Sequence, residues 1–361
     1  MQRRDFLKLS GAASLSAVLP WTGASDVDAA DGWREFEVTT EVEVIDGGPA
    51  KVWVPMPLAR ETVYFRPGTN DWKGNAARGG FKQDPVYGAN LFYAEWDAGS
   101  QSPKTVITSR FATCDRAVDL AQPAREVIPL NPAERDLYLR PTEHVPTDGI
   151  VGATARKIML GAGPGTTDKA RAIYEWIVDN TYRNPKTRGC GTGDIRFLLE
   201  TGDFGGKCAD LNALFVGLAR ASGIPARDVY GVRVATSKTY KSLGRAGDIT
   251  KAQHCRAEFY HPSYGWVPVD PADVRKVVLE EEGAIIPINN PKVVAARAKL
   301  FGAWEMNWLP YNTAMDVVLP PTASTRVNFL MYPYAETPKG KPDPYEPDFF
   351  RYKITSREIV A

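Results

Sequence analysis

Residues 205–227 read GGKCADLNALFVGLARASGIPAR. Leu211, Leu214, Phe215 and Leu218 recur three and four apart, and Gly223 with Pro225 supplies a stop, so the spacing predicts a helix whose first turn begins at Cys208. A thiol at that position meets unpaired backbone N–H groups and the positive end of the helix dipole, which favour a thiolate. With an imidazolium nearby, such placement lowers a cysteine pKa from about 8.5 to roughly 3.5–7.5. Gly205 and Gly206 leave out side chains where a substrate carbonyl would approach. The backbone N–H of Cys208 can donate to the oxyanion formed after attack.

A base is expected downstream. The segments DVYGVRV, HCRAEFY and GWVPVD have strand character, and HPSYG between the last two is a Pro- and Gly-containing turn. A hairpin turning about Pro262 sets His254 directly opposite Asp270. Opposed residues of an antiparallel pair have Cβ atoms about 5 Å apart, so the carboxylate can hold one ring nitrogen and leave the other facing outward. Upstream, TARKIML, TTDKARAIYEWIVDN and DIRFLLETG carry helical spacing, the last capped by Asp194 and stopped by Gly202. Helices first and strands afterwards imply an α+β domain with helices packed on one face of an antiparallel sheet. Before it, Phe36, Val38, Val42 and Val44 alternate with glutamates, and AKVWVPMP and TVITSRF read as further strands. Residues 32 to about 125 thus suggest an antiparallel sandwich, with PGTNDWKGNAARGG among its connections. RVNFLMYPY is a strand near the end, followed by a Pro-rich, aromatic tail.

GKCADLNALFVGLARASGIPARDVYG followed by QHCRAEFYHPSYGWVPVDPAD resembles the transglutaminase-like superfamily over about 140–275. Cys208, His254 and Asp270 match the family's cysteine at a helix start, histidine on one strand and aspartate on the next. The resemblance implies a papain-like, transglutaminase-like α+β core preceded by a β-sandwich, and acyl transfer from an amide through a thioester. The acceptor is water in peptidases and amidases, or an amine in cross-linking enzymes; hydrolysis is the expectation here, with a peptide or protein amide as substrate. The domains expected are an export signal at 1–30, the sandwich at 31–128, the catalytic domain at 129–320, and a strand and extended tail at 321–361 packing on the core. Where the family often has an aromatic residue two positions after the histidine, this chain has Arg256. With Gly206 and Lys207 it would line the substrate groove, or it would pair with Glu258 or Glu280 at the surface. Tyr182 is a candidate second oxyanion donor, the alternative being a hydroxyl that caps the core. Asp210 is expected to cap backbone N–H groups. No D-x-D-x-D-G loop suggests calcium, and no metal or organic cofactor is expected.

Composition narrows the field further. The 361 residues carry 44 basic and 43 acidic side chains, a formal net charge of +1 without long blocks of either sign, which argues against capture of nucleic acid or anionic lipid. MQRRDFLKLSGAASLSAVLPWTGASDVDAA has a basic start, a mild apolar stretch and small residues at Val27 and Ala29; its Arg3–Arg4 pair resembles a bacterial twin-arginine signal. That implies a periplasmic or secreted protein. No later segment has the roughly twenty apolar residues of a membrane span. Four scattered cysteines cannot build the fold, though export leaves room for one disulfide, with Cys190 the least secure as a free thiol. Two readings compete with catalysis. One is a zinc site of Cys208, His254, Asp270 and either Cys255 or Cys190, weakened by the opposite facing of strand neighbours 254 and 255. The other is a non-catalytic binding module with Trp72, Trp304 and Trp308 as contacts.

Overall fold

The computed structural model describes residues 32–45, 47–122, 126–321 and 326–360. The export segment expected at 1–30 lies outside them. Alternation in REFEVTTEVE forms β1, Arg34–Glu43, which buries Phe36, Val38 and Val42 and leaves the intervening glutamates in contact with solvent. There follow β2 (Ala50–Pro55), β3 (Phe65–Gly74), β4 (Arg78–Gln83), β5 (Asn90–Trp96), β6 (Lys104–Thr113) and the short β7 (Arg116–Ala117). The helical region holds α1 (Pro132–Leu139), α2 (Gly149–Met159), α3 (Thr166–Asn180), β8 (Tyr182–Arg183), α4 (Ile195–Thr201), β9 (Gly205–Gly206) and α5 (Cys208–Ala221). Then come β10 (Ala226–Arg233), β11 (Gly247–Asp248), β12 (Gln253–His261), β13 (Gly265–Val269), α6 (Pro271–Glu280) and α7 (Pro291–Lys299). The chain closes with β14 (Ala303–Trp304), β15 (Trp308–Asn312), β16 (Met315–Val318), β17 (Arg326–Phe329), β18 (Tyr334–Glu336), α8 (Pro347–Phe350) and β19 (Tyr352–Ile359).

Two sheets make the sandwich, ordered β11-β19-β1-β6-β3 and β18-β2-β5-β4. Phe111 stacks between Phe36 and Phe65 at centroid distances of 5.8 and 5.9 Å, and Trp72 packs on Phe92 at 5.1 Å. Stretches expected as connections are strands here: β3 pairs with β6, and β4 with β5, each at the edge of its sheet among the described residues. An edge strand with mostly exposed side chains has no need of an apolar alternation, so its polar, glycine-rich sequence conceals it. The tail also departs from expectation. Instead of merely packing on the helical core, it gives β18 to one sheet and β19 to the other, where β19 lies against β1 over eight residue pairs from Glu35↔Ile359 to Val42↔Tyr352.

The second layer system is a sheet of order β13-β12-β10-β15 with helices against it. Every residue of α5 from Cys208 to Arg220 is buried, the mark of a helix surrounded on all sides. Burial of Leu211, Leu214, Phe215 and Leu218 stabilises it by about 1.5–3 kcal/mol each. The two systems are joined by ionic contacts: Glu258 on β12 accepts from Arg116 of β7 through one oxygen and from Arg227 of β10, at 2.7 Å, through the other. Among the described residues no helix is long and apolar enough to cross a membrane.

Candidate active site

Helix α5 opens with Cys208 as its first residue, after Lys207 in an extended conformation. Its flanking N–H groups are already engaged: Ala209 N–H donates to the Cys190 carbonyl at 2.9 Å, and Lys207 N–H to Asp210 Oδ2 at 3.0 Å. The N–H of Cys208, between them, is claimed by neither acceptor. The side chain is only 4% exposed, and its thiol is under the influence of Cys190, Cys255 and His254. The neighbouring Cys190 and Cys255 thiols, together with the His254 imidazolium, outweigh burial and hold the Cys208 thiol well below the usual cysteine range.

The imidazole comes from β12. His261 pairs with Gly265 and Ala257 with Val269, so the hairpin turns about Ser263 rather than Pro262, and the ladder continued would set Asp270 opposite Arg256. The register is therefore two residues from the expected one. A shift of two keeps every side chain on its face, which is why His254 and Asp270 still meet, diagonally. His254 Nε2 is 2.7 Å from Asp270 Oδ2 and 3.4 Å from Asp273 Oδ2, leaving Nδ1 as the ring nitrogen not engaged by the carboxylates. Asp270 is also the N-cap of α6: its Oδ1 accepts from Asp273 N–H at 3.0 Å and from Asn212 Nδ2 at 3.2 Å. Burial and the Arg233 guanidinium pull the His254 pKa down, but Asp273 and Asp270 outweigh them and lift it to about 9. Burial and its neighbour Asp273 raise the Asp270 carboxyl, against the pull of His254. Arg233, 2.6 Å from Asp273 Oδ1, and His254 overcome burial and hold Asp273 well below the usual range.

Cys208, Asp270 and Asp273 are gathered with His254, Arg233 and Arg256, and all six groups are buried. A buried ion left unmatched costs several kcal/mol, so cations gathered in this way favour a thiolate where a lone one would take up a proton.

Several residues expected at the site are placed differently. Tyr182 is 43% exposed and its hydroxyl donates to Asp203 at 2.7 Å; its ring lies over Gly205, where an added Cβ would strike it. A Cβ on Gly206 would meet the Asp210 carboxylate, so that glycine makes room for Asp210 rather than for a groove. Arg256 is 4% exposed: Nη1 donates to the Glu305 carbonyl at 3.0 Å, Nε lies 3.8 Å from Asp270 Oδ2, and the guanidinium sits over the Trp304 and Trp308 rings. It backs Asp270 instead of lining a groove or pairing with Glu258 or Glu280, which have other cationic partners. Lys207 is half-buried at the helix start and contributes its backbone N–H to Asp210. Trp304 and Trp308 are buried, Trp308 donating to the His254 carbonyl, and so offer no docking surface.

Asn212, Asp273 and Arg233 were missed by sequence reasoning. Asn212 follows Cys208 by one helical turn and Asp273 follows Asp270 by three residues, spacings that put each beside its partner. His254, Asp270 and Asp273 offer ligand atoms within 4.8 Å of one another, a set that excludes Cys208 and already has Arg233 and Arg256 against its carboxylates. Two guanidinium groups oppose a cation there.

Residues 152–271 match the family model described as the transglutaminase-like superfamily. An uncharacterized protein of Haemophilus influenzae is 34% identical over 343 residues, covering 90% of this chain and 91% of its own. A solved Cytophaga hutchinsonii protein, provisionally described as a cysteine protease, is similar in fold with a TM-score of 0.50 and 16% identity, over 90% of this chain and 98% of its own. The periplasmic domain of TgpA from Pseudomonas aeruginosa is more distant, with a TM-score of 0.33 and 15% identity over 70% of this chain and 93% of its own.

Proposed function

The chain belongs to the transglutaminase-like superfamily, and on that premise we propose that it is a cysteine-dependent acyl-transfer enzyme that hydrolyses a peptide or amide bond through a thioester on Cys208. The observation that carries this reading is a buried imidazole whose Nε2 is held 2.7 Å from Asp270 and whose charge helps to acidify the buried thiol at the start of α5. The thiolate attacks the amide carbonyl carbon. The resulting oxyanion accepts from the Cys208 N–H, and the His254 imidazolium gives its proton to the leaving amine. His254, now neutral, takes a proton from water, which attacks the thioester and releases the acid. Asp270 fixes the ring and stabilises its charged form, a role familiar from other triads. Water is the acceptor rather than an amine because an exported protein works in dilute solution, and the twin-arginine-like start supports a periplasmic site of action.

The test has two parts. Iodoacetamide labels Cys208 faster than free cysteine at pH about 6, where an ordinary thiol of pKa about 8.5 is almost wholly protonated, and His254→Ala removes that advantage. Profiling of the mature protein against peptide and amide libraries, with Cys208→Ala as the blank, then identifies the scissile bond. Equal labelling of the wild type and His254→Ala, with no turnover, would leave a binding module as the better description.

A further inference from the structure

Acyl transfer needs one thiol, yet three are gathered here. Cys190 and Cys255 both act on the Cys208 thiol, all three are buried, and none is in a disulfide. The two neighbours are held differently. Cys255 lies within β12, paired with Tyr230 of β10, and its carbonyl accepts from Asn212 Nδ2 at 2.8 Å, so its backbone is fixed from both sides. Cys190 lies in the loop before α4, between Gly189 and Gly191, whose φ of 52° and 93° fall in the left-handed region. Its carbonyl accepts from Ala209 N–H at 2.9 Å, which sets the backbones of 190 and 208 side by side, and its sulfur lies 3.3 Å from the Gln253 carbonyl. A disulfide requires Cα atoms about 4.4–6.8 Å apart and a small approach of the sulfurs, which a loop can make more readily than a strand in mid-ladder.

We propose that Cys190 is the resolving partner of Cys208, so that oxidation by a hydroperoxide ends in a Cys190–Cys208 disulfide that closes the site reversibly. The Cys208 thiolate attacks one oxygen of hydrogen peroxide; the O–O bond breaks, hydroxide leaves and takes up a proton, and Cys208 becomes a sulfenic acid. The Cys190 sulfur then attacks Cys208 Sγ. The S–O bond breaks, the Cys190 proton leaves with the hydroxyl as water, and the S–S bond forms. Two thiols are oxidised, one peroxide is reduced, and two waters result. The step uses the thiolate of the reading above but not its acyl chemistry.

Mature protein is treated with one equivalent of hydrogen peroxide and followed by intact mass, peptide mapping without reductant, and alkylation. The expected product has lost the mass of two hydrogens, links the peptides containing Cys190 and Cys208, resists alkylation at Cys208, and regains it with dithiothreitol. Cys190→Ser instead gains oxygen at Cys208, is trapped by dimedone, and passes with more peroxide to a form that dithiothreitol does not restore. Linkage of Cys208 to Cys255, a reducible product in Cys190→Ser, over-oxidation of the wild type without a disulfide, or no reaction would each overturn the assignment. The wild-type map decides the linkage even if the serine variant fails to fold. Slow labelling of untreated Cys208 would count against the acyl-transfer reading; rapid labelling without a 190–208 linkage counts against this one alone.

Discussion

Asp273 shares the His254 ring with Asp270 while Arg233 holds its other oxygen. Two carboxylates around one imidazole keep it charged well into the alkaline range, with a pKa of about 9. Because the folded value lies above the unfolded one of about 6.5, the imidazolium contributes stability that is complete below pH about 6.5 and is lost as pH climbs through about 9. Asp273→Asn removes one of the supporting charges. The alkaline limb of Cys208 labelling should then move about one unit or more toward acid, and the alkaline decline in melting temperature should begin earlier. A pH series of alkylation rates and melts checks both, and an unmoved limb would leave Asp270 as the sole support. The meeting of His254 with Asp270 was legible because motif order and strand parity survive an error of two in register. Arg256 was not, since the Trp304 and Trp308 rings that bury it lie some fifty residues on, and neither was the meeting of three cysteines distant in sequence.

Helix α5 is tied to the loop in front of it by one side chain. Asp210 Oδ1 accepts from Thr192 and Gly193 N–H, each at 3.0 Å, and Oδ2 from Lys207 N–H at 3.0 Å. Capping by Asp210 was foreseeable from its place in the first turn; that it reaches back to the loop carrying Cys190 was not. Asp210→Ala leaves three N–H groups without their acceptor. Only that of Gly193 is buried; at about 1–3 kcal/mol for a buried group left unpaired, the variant should melt a few degrees lower and expose Cys190 to alkylation, as thermal denaturation and labelling of that peptide would show. Hairpin β12–β13 teaches the complementary lesson. Its strands were evident from their apolar, β-branched residues, whereas its exact pairing depended on a turn that three residues, Pro262, Ser263 and Tyr264, make between His261 and Gly265.

The sandwich and the helical core meet at Glu258, which is wholly buried between Arg116 and Arg227, with Arg227 over the Trp266 ring at 3.8 Å and Arg116 over Tyr64 at 4.8 Å. Two guanidinium groups share one carboxylate, so Glu258→Gln leaves the buried Arg116 and the partly buried Arg227 without their counter-charge. Loss of a buried partner of this kind costs about 3–5 kcal/mol; chemical denaturation should register it, and a change below 1 kcal/mol would mean that water reaches the junction. The pairing of β19 with β1 has a consequence for the order of events in the cell. A ribosome delivers β1 some three hundred residues before β19, so until residues 352–359 emerge β1 has a partner on one side only and presents a raw backbone edge on the other. The sandwich is thus finished long after it is begun, and any carrier that accepts only folded cargo must wait for that distant strand.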